Sequence, residues 1–235
     1  MKNLYVIHTS PKRIDFVQGY MIPCFERYGI KDIIVWNDVK MEGQLQAWTK
    51  CAEWIVMNKP DYEGTWHLED DVVPCKNFKA IADSVSAEGI IVQGFVTNNP
   101  FADFKGKTGK LPVQCLPYGM QCIYIPNFYL KGFIYFVDKY VNTGLYHKRQ
   151  YDCGTLYSDN VFRGLVRKYC KDSYVNILEN CMVEHIDYLI GGRSIKKQQF
   201  TDRRAVKFDN YEEVELLKRW VEQEGKYGQT EKGNR

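Results

Sequence analysis

Three short apolar runs, Leu4–His8, Ile33–Trp36 and Thr65–Leu68, are separated by two segments of helical periodicity within the first seventy residues, and no other feature restricts the fold as strongly. The runs are dominated by Val, Ile, Leu and aromatic residues, as in strands buried on both faces. After the first, Thr9-Ser10-Pro11 offers N-capping hydroxyls and a proline suited to a helix start, so a helix is expected to reach about Tyr28. After the second, Leu45, Trp48, Ala52, Ile55 and Val56 recur at helical spacing until Pro60 ends the pattern. Strand, helix, strand, helix, strand in this order implies crossovers, and hence a parallel sheet. The expected fold class is α/β: a mostly parallel sheet covered by helices on both faces, in a single domain.

The remaining pattern continues the alternation less regularly. A helix is expected at about Phe78–Val85, a strand at Ile90–Phe95, and a polar, glycine-rich loop at about Thr97–Pro117 that includes Lys105 to Lys110. Then come a strand at Gln121–Ile125 and a helix at Asn127–Tyr140. A polar loop over 142–158, a helix at Asp159–Tyr169, a helix at Tyr211–Glu224 and a disordered end from Gln229 complete the reading. A chain of 235 residues can build one sizeable core, and its 17 Tyr and 12 Phe supply the bulk for it. The eight cysteines lack the two-residue gap of zinc ribbons and redox pairs and read as reduced packing residues. No run approaches the roughly 18 apolar residues of a membrane span, and the start Met1–His8 reads as a strand rather than a signal peptide, so a cytoplasmic location is expected. The net charge of +3 excludes nothing, but Arg193, Lys196, Lys197, Arg203, Arg204 and Lys207 stand against a single acid, Asp202. Such a run suits either a solvated face or a phosphate-binding surface.

Glu69-Asp70-Asp71 places three like charges at the end of the third strand, where repulsion must be relieved by water, donors or a cation. Carboxylate oxygens suit Mg²⁺ or Mn²⁺. Residues two apart on an extended exit point the same way, so Glu69 and Asp71 are expected to share a role while Asp70 faces structural donors. Ligands bind beyond the carboxyl ends of strands in open α/β sheets, and His8, Thr9, Asn37 and Asp38 fall at that same edge.

The LEDDV stretch in an alternating α/β half resembles the acid-x-acid motif of GT-A glycosyltransferases, in particular the LEDD form of bacterial lipooligosaccharide glycosyltransferases. Met182-Val183-Glu184-His185-Ile186-Asp187, followed by Gly191-Gly192-Arg193-Ser194, resembles that superfamily's C-terminal histidine segment, with Asp187 standing where the pattern has glycine. The resemblance implies a GT-A domain over 1–208, with a nucleotide-sugar half at about 1–95 and an acceptor half at about 96–208, followed by a C-terminal helix and tail over 209–235. It implies Mn²⁺ or Mg²⁺ held by Asp71, Glu69 and His185, and a nucleotide-sugar donor, UDP-glucose or a related UDP-hexose. That donor would be contacted by His8, Thr9, Arg13, Asn37, Asp38, Glu69, Asp70, Arg193 and Lys196. Asp159, or Asp152, occupies the region of the catalytic carboxylate in inverting enzymes, and Asp159 also fits a simple N-cap. Two acceptors remain open, hydroxymethylated pyrimidine in DNA, as phage enzymes glucosylate, and a saccharide at the cytosolic membrane face. A phage origin would place the protein in the host cytoplasm. A nucleotidyltransferase would use similar acids, but His8–Arg13 contains no glycine for a phosphate loop. A non-catalytic binding module is the third class; it would tolerate amides at Glu69 and Asp71.

Overall fold

Alternation of side chains along the first strand divides the molecule into two cores. In the computed structural model, which describes residues 2–96, 108–116, 120–145, 158–190, 204–205 and 207–225, the strand is Asn3–Thr9 (β1). Its Tyr5 and Ile7 enter one core, and its Leu4 and Val6 the other. Burial on both faces is why this run reads as continuously apolar rather than alternating. Ile33–Asn37 (β2) and Gly64–Glu69 (β3) flank β1 in parallel, with Ile7 opposite both Val35 and Leu68.

The connection after β1 departs from the expected capped helix. Pro11–Arg13 form a turn, and helix begins at Ile14–Phe16 (α1), widens to a π-helical turn at Val17–Met21 and continues as Ile22–Arg27 (α2). The Thr9 hydroxyl does not cap it, because it donates to Asp70 instead. Gln44–Asn58 (α3) follows β2 and buries Leu45, Trp48, Ala52 and Ile55 of the expected stripe, with Val56 half-buried beside them.

Val72–Pro74 (β4) leaves the sheet, and Phe78–Ser86 (α4) leads to Ile91–Gln93 (β5). The expected loop contains an edge strand, Gly109–Pro112 (β6), and a 3-10 turn at Val113–Cys115. Its Gly-Lys-Leu-Pro, of which only Leu111 is half-buried, has no apolar pattern to announce it, and Lys110 and Pro112 are residues that protect sheet edges from further pairing. Cys122–Pro126 (β7) runs into Asn127–Phe136 (α5), which ends in a π-helical turn at Val137–Val141. Ser158–Tyr169 (α6), Tyr174–Ile177 (β8), Val183–His185 (β9) and Tyr211–Glu224 (α7) complete the described chain.

The main sheet has the order β2-β1-β3-β7-β5-β8-β6, and β4 pairs with β9 in a separate ribbon. β1, β2, β3, β5 and β8 share one direction, while β7 and β6 run against it. The sheet is therefore mixed, though mostly parallel. Helices α1, α2, α4 and α7 cover one face through Phe16, Phe25, Phe78 and Leu217, and α3, α5 and α6 cover the other through Trp48, Phe133 and Phe162. Among the described residues no helix is long and apolar enough to cross a membrane, and the seven described cysteines are free thiols. Residues 97–107, 146–157 and 191–203 lie outside the described set, as does Gln229 onward.

One close approach in this core is testable. A Cβ added at Gly64 would collide with the hydroxyl end of the Tyr124 ring, on the neighbouring β7. Gly64→Ala should force the buried ring aside, and the expected loss is about 1–3 kcal/mol. Thermal denaturation reads this as a fall of several degrees; an unchanged midpoint would show that Tyr124 moves freely.

Candidate functional site

Parallel pairing brings the carboxyl ends of β1, β2 and β3 to one edge of the sheet. Glu69 ends β3, opposite His8, and Asp70 and Asp71 turn the chain into β4. The β4–β9 ribbon then supplies the distant partner. Val72 pairs with His185, and the Ile186 amide donates to the Asp71 carbonyl at 2.7 Å. Two backbone constraints thus set a histidine beside a carboxylate more than a hundred residues away.

The three neighbouring acids have different surroundings. Asp70 accepts from the Thr9 hydroxyl at 2.8 Å and from Arg13 Nη1 at 2.6 Å. The same Arg13 nitrogen donates to Asp71 Oδ2 at 3.1 Å, and His185 Nε2 lies 3.3 Å from that oxygen. His185 Nδ1 is 3.3 Å from Asp187 Oδ1. Glu69, Asp71 and His185 each offer a ligand atom within 4.8 Å of the others.

Burial and charge drive these groups apart in acidity. Burial, and then the charge of Asp71, push the Glu69 carboxyl up to about 8, with Asp159 and Asp70 adding to the effect. Burial alone would also raise Asp71, but the charge and hydrogen bond of His185, followed by those of Arg13, hold it below the usual carboxylate range. For His185, burial would lower the pKa; Asp71 first, then Asp187 and Glu69, overcome it and raise the imidazole to about 9. Crowding of like charge and burial thus raise Glu69, while Arg13 and His185 keep Asp71 ionised.

The donor set fits a divalent cation. Asp71 Oδ1 is buried and has no hydrogen-bond partner among the described residues. A buried carboxylate oxygen left bare is costly unless something completes its shell. Two carboxylates and one imidazole leave positions for water and phosphate oxygens, as Mg²⁺ and Mn²⁺ sites in phosphate chemistry do.

The other expected residues have mixed placements. The His8 ring stacks on Trp48 at 4.4 Å between centroids, and its Nε2 is 2.9 Å from His67 Nδ1. Burial lowers the His8 pKa to about 3 and depresses His67 as well, so both rings are neutral. Asp38 accepts from the amides of Glu42 and Gly43 and so shapes the turn before α3, while Asn37 Oδ1 is buried without a partner among the described residues. Asp159 lies in the first turn of α6, accepts from the Asn160 amide at 2.8 Å and is near enough for its charge to act on Glu69. Asp152, Arg193 and Lys196 lie outside the described residues. Sequence reasoning did not assign Trp48, His67 or Asp187 to the site. Trp48 reads as an ordinary member of an apolar helix stripe, but His67 shares the strand parity of Glu69 and was legible as its neighbour on the same face.

No protein-family model matches the chain, and no curated protein matches it in sequence. Among solved structures, it is similar to a protein from STIV, at 13% identity and a TM-score of 0.48, covering 89% of this chain and 95% of that one. It is also similar to a glycosyltransferase involved in glycosylation of the major capsid of PBCV-1, at 13% identity and a TM-score of 0.42, with coverage of 91% and 98%. A third is the nucleoside-diphosphate-sugar pyrophosphorylase from Vibrio cholerae, at 14% identity and a TM-score of 0.43, with coverage of 85% and 80%. At these similarities, function rests on the site's own chemistry.

Proposed function

We propose that this protein is a metal-dependent glycosyltransferase of the GT-A type, moving a hexose from a UDP-sugar to an acceptor hydroxyl. The observation that carries the reading is the Glu69, Asp71 and His185 cluster at the carboxyl edge of the sheet, with Asp71 Oδ1 bare. Its position where open α/β sheets bind ligands, and the LEDDV resemblance, support the same reading.

Glu69, Asp71 and His185 would hold Mn²⁺ or Mg²⁺. When bound, the ion supplies neutralisation of the negative charge that builds on the departing nucleoside diphosphate. The chain's own residues prepare the setting. Thr9 and Arg13 lock Asp70, so the turn carrying Asp71 is held before substrate arrives. Only Nη1 of Arg13 is engaged among the described residues, leaving guanidinium donors for a phosphate oxygen. In an inverting transfer, Asp159 takes the proton of the acceptor hydroxyl as its oxygen bonds to the sugar's anomeric carbon and the bond to the diphosphate breaks.

The acceptor in this reading is hydroxymethylated pyrimidine in DNA. Its support is the local basicity of the sequence, together with exposed Tyr135 and Tyr169, over whose rings Lys139 and Lys168 lie. Exposed rings beside cations suit an unstacked polynucleotide. The test is incubation with Mn²⁺ and a panel of UDP-sugars, with and without hydroxymethylcytosine DNA, read by mass spectrometry. A hexose increment on the DNA is expected. Transfer to saccharides but not DNA would replace the acceptor assignment, and failure to use or bind any sugar nucleotide would end the glycosyltransferase reading.

A further inference from the structure

His185 is held between two buried carboxylates, and only one of them belongs to the proposed cation site. Nε2 faces Asp71 Oδ2 and Nδ1 faces Asp187 Oδ1, each at 3.3 Å, and Asp187 is only 5% exposed. The backbone sets both ends of this arrangement. Ile186 donates to the Asp71 carbonyl, and Leu189 donates to the Ile186 carbonyl at 2.8 Å, closing the turn that begins at Asp187. The Phe95 ring, with its centroid 6.1 Å away and tilted by 43°, flanks the imidazole. A carboxylate oxygen accepts, so a proton on Nδ1 is the one that the Asp187 oxygen faces.

The geometry points to Asp187 as a positioning residue for the cation site: it holds the His185 ring with Nδ1–H toward itself and Nε2 toward Asp71 and Glu69. This rests on the reading of Glu69, Asp71 and His185 as cation ligands. Asp187 acts through His185, in the way that a carboxylate behind a metal-bound histidine fixes its tautomer and orientation. The glycine of the resembled motif could not do this, so the residue marks a feature of this chain's own site.

The experiment titrates Mn²⁺ into the full-length chain and follows the EPR signal of free Mn²⁺, with thermal unfolding measured in parallel. Asp187→Ala should weaken Mn²⁺ binding by about 10–100-fold. In a His185→Ala background the same substitution should have no further effect on affinity, since its route to the ion is gone. A merely structural role would weaken both backgrounds equally and would overturn the proposal. So would equal affinity of Asp187→Ala and the unaltered protein, which leaves the cation site itself standing. Absence of Mn²⁺ binding by the unaltered protein would overturn both. If Asp187→Ala does not fold, Asp187→Asn keeps the volume and an acceptor but loses the charge; binding must then weaken by about threefold or more, and an unchanged affinity sinks the assignment.

Discussion

Asp71→Asn should abolish most of the sugar transfer while leaving the protein folded. Asparagine keeps the size of Asp71 and an oxygen for Arg13, but it removes the charge from the only one of the three ligand groups held in the anionic form by both Arg13 and His185. Metal neutralisation of a leaving group contributes several kcal/mol, so activity should fall by about 10²–10⁴-fold. Mn²⁺ affinity should fall with it. The measurement is UDP release from the UDP-sugar used in transfer, at saturating Mn²⁺, beside a thermal unfolding curve. Activity within about threefold of the unaltered protein would remove Asp71 from the chemistry, and a non-catalytic binding module would then be the better description.

Glu213→Gln should destabilise the fold and flatten its response to acid. Glu213 is buried on α7 and accepts from Tyr20 Oη and Arg27 Nη2, both at 2.6 Å, and from Tyr28 Oη at 3.0 Å. It ties the last helix to the π-turn and α2. Arg27 is half-exposed, so its ion pair is screened and counts for less than the buried hydroxyl bonds. The expected loss at pH 7 is about 1–3 kcal/mol. Burial would raise the Glu213 carboxyl, but the hydrogen bond from Tyr20, with other donors and Arg27, outweighs it and lowers the pKa from its ordinary 4.5. A depressed folded-state pKa gives stability that is fully present above 4.5 and disappears as pH falls through the lower folded value. The variant should start less stable at neutral pH and lose less on acidification below 4.5. Denaturant midpoints across that range decide it, and parallel curves for the two proteins would contradict the assignment.

How much was legible follows from the range of the interactions involved. The β1–β2–β3 block, α3 and α7 are visible because side-chain periodicity is a local property that burial imposes directly. The edge strand β6 and the three-residue β4 and β9 are not, since their pairing depends on partners far along the chain rather than on any apolar pattern. The same limit applies to Thr9. It has the chemistry of a helix cap, but Asp70, sixty-one residues on, takes its hydroxyl. His8 sits at the expected edge, yet it turns into a neutral stack with Trp48 and His67 because parallel pairing and α3 place an aromatic wall there.

The sequence by itself determined that this chain builds an α/β sheet and crowds three acids at the end of a strand, because hydrophobic period and adjacent charge are written in neighbouring residues. Strand parity already set Asp70 apart from Glu69 and Asp71, and tertiary structure supplied the partners that carry out that division. Asp70 went to Thr9 and Arg13, and Asp71 to His185, because an antiparallel ribbon between β4 and β9 sets residue 185 against residue 72. No local rule states that pairing. It arises from the packing of the whole fold, which sets His185 between the carboxylate oxygens of Asp71 and Asp187.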